Sequence, residues 1–82
     1  MRVEHDPDAD ALYVHLSNGE YHHGEDLDAE RRVDFAANGG AVGIEFLNVS
    51  RGIDLRGVPA QAEVARALEK LGLKVLSRSP SR

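Results

Sequence analysis

The chain has no cysteine and no tryptophan, only two Tyr and two Phe, three Pro and a single Met among its 82 residues. Without cysteine there is no disulfide framework and no thiolate-ligated zinc or iron–sulfur centre. With so few aromatics, and a pI of about 5.4, there is neither a stacking platform nor a basic groove, which argues against nucleic acid as a partner for the chain as a whole. No run approaches the roughly 20 apolar residues of a membrane span, and the opening MRVEHDPDAD is too acidic and too polar for a signal peptide, which sets the expectation of a cytoplasmic protein without a membrane role. Nucleophilic catalysis is also without support, since Ser17 and Ser50 lie in no Gly-x-Ser-x-Gly elbow and no phosphate-binding glycine loop is present.

What the chain does have is apolar alternation and a divided charge. Hydrophobic residues make up 41% of it, ten of them Ala, so a domain of this size is marginal unless a second chain covers part of it. The net charge of −4 conceals a balance of −8 in residues 1–50 and +4 in residues 51–82. The acidic half reads as short strands. Met1 to His5 is broken by Asp6-Pro7. Leu12, Val14 and Leu16 alternate in Ala11 to Ser17, and Val33 and Phe35 in Arg31 to Ala37. In Ala41 to Val49, Val42, Ile44 and Phe46 share one face. Asn18-Gly19 carries the strongest hairpin signal and predicts that the polar segment Glu20 to Leu27 folds back on Ala11 to Ser17 as an edge strand. Gly43 marks a bulge or a close backbone approach. In the basic half, Pro59 suits a first helical turn, Ala60, Val64, Ala67, Leu68 and Leu71 share a helical face, and Gly72 suits a C-cap. The expectation is one α+β domain over residues 1–76: an antiparallel β-meander of four or five strands, covered on one face by a single C-terminal helix over 58–72. Leu73, Val75 and Leu76 add a short strand or an arm, and 77–82 form a disordered tail.

Two sets of side chains carry candidate chemistry. If the hairpin closes at Asn18-Gly19, His15 lies opposite His22, and the two imidazoles can share a metal ion with Glu20 or Asp26; the simpler reading is the polar face of a hairpin. Asp6, Asp8 and Asp10 have the spacing that opens an EF-hand loop, but Ala11 and Ser17 stand where its Gly and Glu belong, which favours an Asx turn. Asp34 and Glu45 share a sheet face where Arg31 and Arg32 offer ordinary ion-pair partners. Glu25, Asp26, Asp28 and Glu30 form an acidic run suited to a basic protein partner.

Several of these residues also form a pattern. Asp6-Pro7, Asp10-Ala11-Leu12-Tyr13, Val33-Asp34-Phe35 and the Gly-x-x-Val-Gly-Ile-Glu-x-Leu-x-x-Ser segment from Gly39 to Ser50 resemble the domain of unknown function 2283 family of small prokaryotic proteins, over residues 1 to about 51. The resemblance implies a fold more than an activity. Because some members look like partners of small toxins, it also implies an antitoxin-like role. The expected function is a noncatalytic interaction module with a protein partner, forming a homodimer and needing no cofactor. The alternative is a metal-binding protein or small metal-dependent enzyme built on His15 and His22.

Overall fold

The computed structural model describes residues 1–76, so the tail expected over 77–82 lies outside the described residues. Five antiparallel strands, β1 (Arg2–Asp6), β2 (Ala11–His15), β3 (His23–Asp28), β4 (Arg31–Phe35) and β5 (Ala41–Leu47), form one sheet in the order β1-β2-β5-β4-β3. A short 3₁₀ turn at Val49–Arg51 and one helix, α1 (Gln61–Lys70), follow. This is the expected small α+β architecture.

The sheet is a hairpin, β1-β2, joined edge to edge with a three-strand meander, β3-β4-β5. The predicted hairpin at Asn18-Gly19 does not form: β2 pairs with β5, with Leu12 opposite Phe46 and Val14 opposite Ile44. The reason is burial. A local hairpin would set the polar strand β3 beside β2, whereas the long-range pairing joins the two most apolar strands at the centre and sends β3 to the edge. Residues 16–22 instead cross the ends of β5 and β4, where Leu16 N–H donates to Val42 O at 2.9 Å and His22 N–H to Phe35 O at 2.8 Å. Gly19 serves this crossing by being small, since a Cβ there would sit 2.8 Å from Val42 Cγ1.

One face of the sheet is covered. Leu12, Val14, Ile44 and Phe46 pack against Ile53, Leu55 and Val58 of the connecting loop and Val64, Ala65 and Leu68 of α1. The helix is shorter than expected and starts at Gln61, because Ala60 adopts the left-handed conformation (φ 54°) with no side-chain cap. Its buried stripe is Val64, Ala65 and Leu68, while Ala60 and Leu71 of the predicted face are exposed. Gly72 does end it: Gly72 N–H bonds to Glu69 O at 3.0 Å and Leu73 N–H to Leu68 O at 3.1 Å, the pair of bonds of a Schellman cap. The segment beyond folds back, Ile53 N–H bonding to Lys74 O and Leu76 N–H to Ile53 O, both at 2.9 Å, so Val75 forms a single parallel bridge with Ile53.

Candidate functional site

Alternation that buries Leu12, Val14, Ile44 and Phe46 places Tyr13, His15, Gly43, Glu45, Arg32 and Asp34 on the opposite face, which no helix or strand covers among the described residues. Tyr13 lies across Gly43, where a Cβ would meet the phenol oxygen and Cζ well inside contact distance, and its hydroxyl donates to Asp34 Oδ2 at 2.8 Å. One side chain thus spans from β2 over β5 to β4. The close approach expected at Gly43 is made by this ring and not by a backbone. Burial, and then the hydrogen bond to Asp34 and its charge, push the Tyr13 hydroxyl well above its usual range. At neutral pH it is a fixed donor and not a base or nucleophile.

His15 and His22 are not brought together. His15 stands opposite Arg2 on one side and Gly43 on the other, with its Nε2 3.1 Å from Glu4 Oε2 and 3.2 Å from Arg2. His22 precedes β3, with β5 and β4 between it and β2. The cross-hairpin geometry behind the metal alternative is therefore absent, because the pairing that would create it is replaced by β2-β5. Among the described residues no group of three or more His, Cys, Asp or Glu is placed to hold a metal ion. At the EF-like spacing, Asp6 Oδ1 accepts the N–H groups of Asp8 and Ala9 at 3.1 and 3.2 Å, an Asx turn, while Asp10 leaves the group to bind the N–H and hydroxyl of Ser50 at 2.9 and 2.7 Å.

The acidic run occupies β3 and the turn after it. Glu25, Asp26 and Asp28 are exposed and Glu30 is half-buried. Each has a partner within the chain: Glu25 with His23 at 3.3 Å, Asp26 with Arg32 at 3.1 Å, Asp28 with Arg31 at 2.9 Å, and Glu30 with Arg51 and Asn48, both at 2.6 Å. The Glu30 N–H, then the Arg31 guanidinium, hold the Asp28 carboxyl below its usual range. Arg31, expected on the open face, starts β4 on the covered side with only 12% of its side chain exposed, and donates to Asp54 O at 3.1 Å and to Arg56 O. A polar hollow of about 220 Å³ lies beside it, lined by Glu30, Asn48, Arg51 and Asp54 among others. The edge is thus more nearly balanced in charge than its sequence suggests. The arginines that balance it come from the adjacent strand β4 and, for Glu30, from the 3₁₀ turn, the last a proximity that the linear run does not show.

The open-face residues Tyr13, Asp34, Gly43 and Glu45, and the Asp10–Ser50 clasp, are most of the polar and glycine positions of the sequence pattern described above, Asp6 and Gly39 being the others. A family model described as protein of unknown function (DUF2283) matches residues 2–50, and the chain belongs to that family. No curated protein and no solved structure matches it. No helix among the described residues is long and apolar enough to cross a membrane.

Proposed function

We propose that the chain is a noncatalytic protein-interaction module that self-associates and docks a small basic protein, in the manner of an antitoxin, along the β3 edge through Glu25, Asp26, Asp28 and Glu30. The observation that carries the reading is that β3 ends the sheet while its acidic side chains remain exposed. An edge strand offers a free row of backbone donors and acceptors to an added strand, and side-chain charge selects which strand is accepted. Exposed ion pairs such as Asp26–Arg32, with side chains 67% and 47% exposed, are worth little individually and exchange readily for a partner's Lys or Arg. Tyr13, whose hydroxyl donates to Asp34, gives the open face a fixed polar pattern.

The test is pull-down of the tagged chain at native expression level, compared with a variant carrying Glu25→Gln, Asp26→Asn, Asp28→Asn and Glu30→Gln together. The wild-type chain is expected to retain a small basic protein in low salt and release it as salt rises, and the variant to lose it while still melting cooperatively. A complex unchanged by the four substitutions counts against β3 as the contact surface.

A further inference from the structure

The sheet has two edges, and they are not alike. Strand β3 carries a bulge between Asp26 and Asp28, a glycine and three exposed acids, all features that discourage pairing of like with like. Strand β1 pairs with β2 in unbroken register from Arg2–His15 to Asp6–Ala11, with no bulge and no glycine, and its exposed charges, Arg2, Glu4 and Asp6, are of mixed sign, so one register can set opposite charges against each other.

The hydrogen-bonding phase of β1 follows from its neighbours. Leu16 N–H bonds to Val42 O, which turns the amides of even-numbered β2 residues toward β5 and those of Ala11, Tyr13 and His15 toward β1. Their partners Arg2, Glu4 and Asp6 therefore bond inward, and Val3 and His5 direct their N–H and C=O groups outward. An antiparallel copy of β1 can be added only in registers that set these odd-numbered residues opposite one another. With Val3 on a twofold axis, Arg2 of each copy faces Glu4 of the other, and Val3 faces Val3. Sliding two residues further apart sets Glu4 against Glu4, and sliding again sets Glu4 against Asp6.

The same edge borders an open groove of about 610 Å³ between β1 and α1, lined by Met1, Val3, Ala67 and Leu71 and rimmed by Glu63, Arg66 and Lys70. Met1 and Leu71 are 56% and 58% exposed there. A twofold axis normal to the sheet places both helices on the same face and antiparallel, so the Glu63 end of each α1 meets the Lys70 end of the other above the seam.

We propose that β1 is a homodimer edge: two copies join through antiparallel β1 strands with Val3 at the twofold axis, giving a continuous ten-stranded sheet with α1 beside α1. This rests on the interaction-module reading, locates its self-association, and leaves β3 at both ends for other partners.

The absence of cysteine provides a clean test. Residues opposite each other in a hydrogen-bonded antiparallel pair have Cα atoms about 5.5 Å apart, within disulfide reach. Under mild oxidation Val3→Cys is expected to run as a covalent dimer, and His5→Cys, which faces residue 1 of the other copy, to remain largely uncrosslinked. In sedimentation equilibrium the wild-type chain is expected at twice its 8.9 kDa mass. Arg2→Glu is expected to weaken the dimer by about tenfold or more, through like charges set across the seam, and Arg2→Glu with Glu4→Arg to restore it. A wild-type monomer throughout the dilution series overturns the proposal, as does efficient crosslinking at His5→Cys in place of Val3→Cys. The four-fold β3 variant keeps the dimer whether or not it loses a basic partner, so failure of one surface does not imply failure of the other.

Discussion

At the scale of single residues, the open face is organised by the contact of Tyr13 with Gly43. The phenol crosses β5 only because position 43 has no Cβ, and crossing it delivers the hydroxyl to Asp34 at 2.8 Å. The two positions therefore have unequal and coupled costs. Tyr13→Phe removes one donor from a half-exposed carboxylate that water can re-solvate, and is expected to cost about 1 kcal/mol. Gly43→Ala forces a rigid ring off the strand and gives up the same hydrogen bond, with an expected cost of about 2–3 kcal/mol. In a double-mutant cycle with Tyr13→Ala, the Gly43→Ala cost is expected to fall by more than about 1 kcal/mol. Additive denaturation midpoints would show that the ring does not occupy the space over Gly43.

At the scale of elements, most strands are legible in the sequence and their pairing is not. The alternation of Leu12, Val14 and Leu16, and of Val42, Ile44 and Phe46, is local and survives in the fold, with all but Leu16 buried and Leu16, just past the end of β2, half-buried. Asn18-Gly19 is also a local signal, but hairpin closure there competes with the burial gained when β2 meets β5, and burial wins. That single decision separates His15 from His22. The pairing of Arg32 with Asp26 and of Arg31 with Asp28 follows instead from the local β3-β4 hairpin, whose register the acidic run alone does not announce. The helix start is another such case. Pro59 and the apolar period suggest an earlier start, but Ala60 turns left-handed with no side chain capping the first turn. An alanine in this conformation is strained by about 1 kcal/mol or more, and glycine is not. Ala60→Gly is therefore expected to raise stability by about 0.5 kcal/mol, against the usual effect of introducing glycine next to a helix. A chemical melt with a lower midpoint for Ala60→Gly would contradict the assigned backbone.

At the scale of the whole molecule, the charge division between the halves is a device for joining layers as well as a surface property. Arg31 leaves the acidic sheet to donate to the Asp54 and Arg56 carbonyls of the loop that leads to α1, and Arg56 closes on the Asp54 carboxylate at 2.8 Å. Hydrogen bonds from the Arg56 side chain and then its backbone N–H, with the nearby charge of Arg31, lower the Asp54 pKa to about 2. In the unfolded chain this carboxyl titrates near its ordinary value of about 3.9. The folded state thus binds its proton less readily than the unfolded state. Its contribution is fully present above about pH 4 and is lost progressively as pH falls toward about 2. Because the Arg56 side chain is 72% exposed, solvent screening holds the contribution to about 1 kcal/mol or less, which still matters to a small domain. The Asp28 carboxyl, held low by the Glu30 N–H and Arg31, acts in the same direction from the sheet side of the same arginine. Acid is therefore expected to loosen the Asp54–Arg56 turn within the loop, and with it the weaker 3.9 Å approach of Arg31, before the central β2-β5 pairing gives way. Urea midpoints measured at about pH 6, 4 and 2.5 are expected to fall most steeply over the lowest interval for the wild-type chain. For Asp54→Asn they are expected to start lower at pH 6 and to fall less over that interval. Parallel pH profiles for the two proteins would mean that the Asp54 carboxylate does not stabilise the folded loop that leads to α1.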